Sequence, residues 1–333
     1  MRVLRTFRQQ AGRWKRYLWH RRTTWSGRFA LTLIYHRVSP DVGADYFRLC
    51  VTPQHLAEQI EWLMRRFAIV PLVDVGRPDR RPRVALTFDD GYADNLHHAL
   101  PVLERYGVPA TVFVTTGYVG SGREFWWDEL ERIVLLGEKA LERVQLEGPG
   151  GAREWSFDSV NRLASCWDLH SWLKPLDPQT RDALLGQLRS AFGNVPPPRT
   201  THRPLTVEEL LQLARSPLIT LGGHTVNHVS LGGRPLPEQE REIRQSLEQL
   251  REWTGRPTAT FSYPYGGGAD IGEHAPGIVR RAGCVLARAN HPGLVVSRSD
   301  CFRLPGLLVR DWDGETFGRR LHDYLAGASY DDR

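Results

Sequence analysis

The 333-residue sequence predicts an α/β protein whose parallel βα units form a barrel or an open sheet. Three observations predict this class. Short apolar runs alternate with stretches of helical periodicity. Several of those runs stop at residues able to do chemistry, as at Tyr35-His36, Phe88-Asp89-Asp90 and Gly223-His224, which is where strands of such folds carry function. No internal repeat competes with that order.

The chain begins with a basic arm, residues 1–28. Arg2, Arg5, Arg8, Arg13, Lys15, Arg16, Arg21, Arg22 and Arg28 precede the first acid, Asp41, and are interleaved with Trp14, Tyr17, Leu18, Trp19 and Trp25. Cations mixed with aromatics suit an interfacial segment on an anionic membrane, and equally a solvated basic arm. The arm lacks the apolar core of a secretory signal. No run of roughly eighteen apolar residues is present to span a membrane. The expected location is cytoplasmic, peripheral at the inner membrane face. The net charge of +6 is concentrated in the arm, and no dedicated nucleic-acid module is present, so no nucleic-acid partner is expected.

Phe29-Ala30-Leu31-Thr32-Leu33-Ile34-Tyr35 reads as a buried strand that delivers His36 to its end. Thr52-Pro53 opens a helix whose Leu56, Ile60, Leu63 and Met64 recur at helical spacing. A short strand over Ala68-Ile69-Val70-Pro71-Leu72 follows. The strand Val84-Ala85-Leu86-Thr87-Phe88 ends in Asp89-Asp90-Gly91, where glycine lets the backbone turn. A helix through His98, Leu100, Val102 and Leu103 then leads to the strand Ala110-Thr111-Val112-Phe113-Val114. Strand, helix and strand in this order predict a right-handed parallel unit.

From about residue 120 to 217 the alternation weakens, and this stretch reads as a mostly helical insertion covering one side of the domain that otherwise fills residues 29–333. Its Phe125-Trp126-Trp127 run is of a kind found more often in cores than as sugar-stacking platforms. Leu218-Ile219-Thr220-Leu221-Gly222-Gly223 restores the pattern and runs into His224. A helix from Glu238 to Trp253, a strand over Ala259-Thr260-Phe261-Ser262, a helix near Ile278 and a strand over Cys284-Val285-Leu286-Ala287 complete it. Cys50, Cys166, Cys284 and Cys301 are scattered and read as reduced thiols.

Adjacent carboxylates repel, so Asp89 and Asp90 are costly together unless a cation neutralises one or one holds a proton. An acidic turn or helix cap is the plain alternative. His224 and His228 are four residues apart, and one helical turn would bring their rings to the same side. Asp90, His224 and His228 then make a carboxylate and two imidazoles with a position left for water, the composition of an open catalytic metal site. Zn2+ fits this set first; Co2+, Ni2+, Fe2+ and Mn2+ fit it as well.

Three ordered motifs, Thr87-Phe88-Asp89-Asp90-Gly91-Tyr92, His224-Thr225-Val226-Asn227-His228 and Tyr263-Pro264-Tyr265-Gly266, resemble those of the polysaccharide deacetylases, carbohydrate esterase family 4 with the NodB homology domain. The resemblance covers roughly residues 29 to 310. It implies a distorted (β/α)7 barrel and metal-dependent removal of acetyl groups from N-acetylated sugars of a glycan or lipid-linked precursor, a role in the range of exopolysaccharide biosynthesis. It implies further that Asp90, His224 and His228 hold the metal, that Asp89 is the general base, and that the backbone N–H of Tyr265 supports the oxyanion.

Two departures from the family pattern shape the rest. No late Leu-x-His motif follows Pro305, and Leu33-Ile34-Tyr35-His36 near the start resembles instead the circularly permuted branch, which makes His36 the general acid. Ser262 stands where the family's third motif carries an arginine, so the charge that tunes Asp89 must come from elsewhere, with Arg303 as the candidate. Two other functions remain open: a deformylase or other amidohydrolase on the same barrel, and a carbohydrate-binding protein without catalysis. Retention of Asp89 beside the metal set argues against the second.

Overall fold

The structure is a computed structural model that describes residues 23–24, 28–43, 45–137 and 140–330. Most of the basic arm lies outside the described residues, and with it the expected membrane contact. Among the described residues no helix is long and apolar enough to cross a membrane. All four cysteines are free thiols, with Cys301 alone exposed.

In chain order the first half holds β1 (Ala30–Tyr35), β2 (Arg37–Val38), β3 (Cys50–Val51), α1 (Pro53–Met64), β4 (Ala68–Ile69), β5 (Arg83–Phe88), α2 (Leu100–Tyr106) and β6 (Ala110–Val114). Then come α3 (Trp126–Leu135), the hairpin of β7 (Leu141–Gly148) and β8 (Gly151–Phe157), α4 (Arg162–Leu173), α5 (Pro178–Phe192) and α6 (Val207–Arg215). The last part holds β9 (Ile219–Gly223), α7 (Leu236–Thr254), β10 (Thr260–Ser262), α8 (Gly268–Ile271), α9 (Ala275–Arg281), β11 (Leu286–Arg288), β12 (Leu307–Leu308) and α10 (Gly314–Leu325).

The main sheet runs β11-β10-β9-β6-β5-β1-β12, with β4 beside the start of β5, and every pair in it is parallel. It curls into a half-barrel. Residues 304–309, which include β12, draw its open edges together: Leu304 exchanges backbone hydrogen bonds with Ala287 of β11 and with Ala289 just after it, and Val309 N–H donates to Ile34 O of β1 at 2.9 Å. Strands buried on both faces read as continuous apolar runs, which is why β1 and β5 were legible in sequence.

Helix starts follow the expected chemistry. Thr52 caps α1 by accepting from His55 N–H, with Pro53 in the first turn. Two elements differ from the sequence expectation. The strand expected over residues 68–72 stops at Ile69 and passes into a 3-10 turn, Leu72–Asp74, after Pro71, which has no N–H to give a ladder. The helix after Gly91 begins as a single π turn, Asn95–Ala99, before α2.

Residues 124–192 build an apolar cluster of their own, with Phe125, Trp126, Leu130, Leu169, Leu188 and Phe192 at its centre. Tyr92 and Tyr118 from the sheet side complete this cluster and fasten it over the C-terminal ends of β5 and β6. The site lies under this cover.

Candidate metal centre and active site

β5 ends at Phe88, and the chain turns through left-handed backbone at Asp90 (φ 75°) and Gly91 (φ 85°). A Cβ at residue 91 would lie 3.2 Å from the Val114 side chain, so glycine meets both a conformational and a spatial demand. Asp89 N–H donates to Tyr35 O at 2.9 Å, tying the ends of β5 and β1 together. Both carboxylates are buried.

His224 follows β9 directly. The helical turn expected over residues 224–228 does not form; the segment is a loop. Its imidazoles converge because Thr225 (φ 64°) and His228 (φ 51°) take left-handed backbone. The loop is held from behind by buried Glu242 of α7. Glu242 Oε2 accepts from the N–H groups of Val226 and Asn227 at 2.9 Å each, and its Oε1 accepts from Asn227 Nδ2 at 2.7 Å. On the other side Gly117 N–H donates to Val226 O at 2.8 Å, an approach a Cβ at Gly117 would block at 2.6 Å from that oxygen.

Asp90 Oδ1 lies 3.4 Å from His224 Nε2 and 3.3 Å from His228 Nε2, and the three ligand atoms fall within 4.8 Å of one another. His224 Nδ1 is 2.7 Å from Ser262 O. A carbonyl only accepts, so Nδ1 carries a proton and Nε2 is the nitrogen turned toward Asp90. Burial pulls the His228 pKa down to about 4, which favours the neutral form of that ring. Acceptors facing one point fit a divalent cation, and the carbonyl behind His224 is the outer support such ligands use.

Asp89 points beside this cluster. Its Oδ2 pairs with Arg288 Nη2 and lies 3.4 Å from Ser262 Oγ, to which Arg288 also donates at 2.5 Å. Its Oδ1 is buried and has no hydrogen-bond partner among the described residues. Burial works to raise the Asp89 pKa, but the charges of Arg288, His224 and His36 outweigh it, and the carboxyl lies below its ordinary range.

The expectation that Arg303 supplies this charge is corrected. Arg303 Nη2 donates to Gly272 O at 2.7 Å, and fully buried Arg288 stands at Asp89 instead. The reason is register. Ser262 and Arg288 are partners across β10 and β11, so their side chains share one face of the sheet at one level. The signal was a charged residue inside the apolar run Leu286-Ala287-Arg288-Ala289.

His36 follows β1, next to the end of β5, through the register pair Tyr35 and Phe88. Its backbone carbonyl accepts from Asn95 Nδ2 at 2.8 Å, and its ring Nδ1 is buried and unpartnered among the described residues. Burial lowers its pKa against the opposing pull of Asp90 and Asp89. Tyr265 takes φ 60°, and its N–H makes no hydrogen bond among the described residues. Its hydroxyl accepts from Trp126 Nε1 at 3.2 Å, and its ring lies 4.7 Å from that of His228. Asp89, Asp90, His224, His228, His36 and Tyr265 thus gather at one mouth, and Arg303 does not join them.

Residues 76–141 and 198–283 match the family model for polysaccharide deacetylase. Over these two stretches, somewhat under half of its length, the chain resembles the polysaccharide deacetylase family. It is 29% identical over 163 residues to a poly-beta-1,6-N-acetyl-D-glucosamine N-deacetylase of Staphylococcus epidermidis, a match spanning 44% of this chain and 50% of that relative. The chain therefore matches about half the length of that relative. Among solved structures it resembles the Streptococcus pyogenes deacetylase PplD in complex with acetate (TM-score 0.56, 16% identity, covering 87% of this chain and 97% of that one). It also resembles IcaB from Ammonifex degensii (TM-score 0.55, 20% identity, covering 91% and 98%). At these identities the two structures establish the fold.

Residues 142–197 lie between the two stretches that match the deacetylase family, and they hold β8, α4, α5 and most of β7. The preceding helix, α3, walls the site. The Trp127 ring lies 4.4 Å from that of His228, and Trp127 Nε1 donates to Tyr92 OH, which donates to Asp128 Oδ2 at 2.6 Å. Trp126 and Trp127 are buried, as the core reading of that run expects. The far end is latched by buried Arg37, whose Nη1 donates to His202 Nε2 at 2.6 Å and whose Nη2 donates to Thr201 O.

Proposed function

We propose that this protein is a metal-dependent hydrolase that removes acetyl groups from N-acetylated sugars of a glycan or a lipid-linked precursor. One observation carries the reading: a buried carboxylate with an unpartnered oxygen, Asp89, stands directly beside three converging ligand atoms. A binding protein has no need of a base there. The match to the Staphylococcus epidermidis N-deacetylase supports the substrate class.

A divalent metal held by Asp90, His224 and His228 supplies Lewis acidity, polarising the acyl carbonyl and acidifying water. The chain's own residues do the rest. Asp89 Oδ1 takes a proton from the attacking water, while Arg288 keeps that carboxylate ionised beforehand. The Tyr265 N–H donates to the oxygen that gains charge as the C–O bond forms. His36 delivers a proton to the nitrogen as the C–N bond breaks, giving a free amine and acetate. Burial weakens the hold of its ring on that proton, which makes the imidazolium a stronger acid. In this reading the chain has the permuted order: β1, bearing the acid, precedes β5, bearing the base, and the two are paired.

The test is acetate release from a panel of N-acetylated oligosaccharides by metal-stripped protein, with and without zinc or cobalt, and with Asp89→Asn as control. Release should require both metal and Asp89. Formate from N-formylated sugars in place of acetate would make the protein a deformylase. Metal binding with release of neither acid would leave the carbohydrate-binding reading.

A further inference from the structure

The proposed reaction fixes the acetyl group at the metal and leaves open where the rest of the sugar chain lies. If His36 protonates the departing nitrogen, the sugar rings attached to it leave on the His36 side of the mouth. The loop after β2 borders that side. There Arg310, whose charge acts on His36, donates to the carbonyls of Phe47 and Arg48.

From the metal ligand an unbroken series of ring contacts reaches this loop. His228 meets Trp127 at 4.4 Å, Trp127 meets Trp126 at 5.7 Å, and Trp126 stacks on His170 at 4.8 Å with planes 21° apart. His170 meets Trp167 at 5.9 Å, and Trp167 meets Phe47 edge-on at 4.8 Å. The series is buried from His228 to Trp126 and again at Phe47, and it opens to solvent at Trp167, 44% exposed, with Tyr46 beside Phe47 at 38%. Leu163, one turn before Trp167 on α4, is also exposed and extends the strip.

We propose that Trp167 and Tyr46 form a glycan subsite that holds sugar rings of an oligosaccharide beyond the acetylated unit. The proposal rests on the deacetylase reading. An indole with an open face is costly to leave in water, and it offers the flat apolar surface on which the C–H face of a sugar ring packs, while a tyrosine adds a hydroxyl. Continuity with the catalytic mouth selects this occupant. Asp168 and Ser171 border Trp167, while Arg48 and Arg310 border the Tyr46 end, a rim of mixed charge rather than the lysine and arginine cluster that an anionic lipid surface selects. The buried members of the series position the metal ligand; the exposed ones meet substrate.

The experiment compares N-acetylglucosamine with its oligomers up to the hexamer, as substrates of the metal-loaded protein and as ligands of the metal-loaded Asp89→Asn variant. In the unaltered protein KM and Kd should fall as the chain lengthens. Trp167→Ala should raise both by about tenfold for the longer oligomers while leaving the monosaccharide and kcat unchanged. Trp167→Phe should restore most of the loss, and Tyr46→Ala should repeat the pattern more weakly. An absence of chain-length dependence, or equal effects on monomer and hexamer, overturns the subsite. Loss of vesicle binding without loss of oligosaccharide affinity in Trp167→Ala overturns it in favour of a lipid contact. Trp167-dependent binding of oligomers without acid release upholds the subsite and removes the hydrolase reading instead.

Discussion

At Asp89 two demands oppose each other. Burial favours the protonated carboxyl, which cannot act as a base, and the guanidinium of Arg288 reverses that preference. Arg288→Gln should therefore raise the proton affinity of Asp89. The acid limb of the kcat/KM profile then moves to higher pH, and turnover near neutrality falls about a hundredfold. Arg303→Gln should leave the profile where it is, because its guanidinium is engaged at Gly272. An unmoved acid limb in Arg288→Gln would remove Arg288 from the role of positioning Asp89. Asp89, Asp90, His224 and His228 were legible in sequence because each pair sits within a few residues. Arg288 was not, since strand register across two βα units brings it to Ser262.

Among the elements, the His224–His228 loop depends on a helix it does not belong to. One carboxylate, Glu242, takes three hydrogen bonds from the loop, and these fix the direction in which the imidazoles point. Glu242→Ala should lower metal affinity by roughly 10- to 100-fold, read by competition against a chelator. Unchanged affinity would show the loop to be held by Gly117 and the sheet alone. The helix carrying Glu242 was plain from its periodicity, but the residue looked like one charge among many on a solvated face. The loop itself was read as a helical turn because spacing reports which residues converge and not which backbone conformation does it. Left-handed φ at Thr225 and His228 leaves no mark in composition.

For the whole molecule, apolar runs and their chemical endings made the parallel α/β architecture legible, as did the weakening pattern over the residues that build the second apolar cluster. The closing of the sheet edges by residues 304–309 was not legible, since its strand is only two residues long. Acid should unfasten the cover over the mouth. Burial, with Arg37 and Arg199 nearby, brings the His202 pKa down to about 2, and Arg37 donates to the lone pair that a proton would occupy. The unfolded chain takes up that proton below about pH 6.5, so stability rises with pH across the window and is lost as pH falls from about 6.5 toward 2, by up to about 1.4 kcal/mol per pH unit. Thermal melts of metal-free protein between pH 7.5 and 5 should show the loss, and His202→Gln should flatten it; equal slopes would assign the acid sensitivity elsewhere. The left-handed turns at Asp90, Thr225, His228 and Tyr265 belong to three separate stretches of chain, each kept in place by neighbours from another. The signature is thus local while the site is communal: a gene fragment can inherit all three motifs and still encode no catalyst.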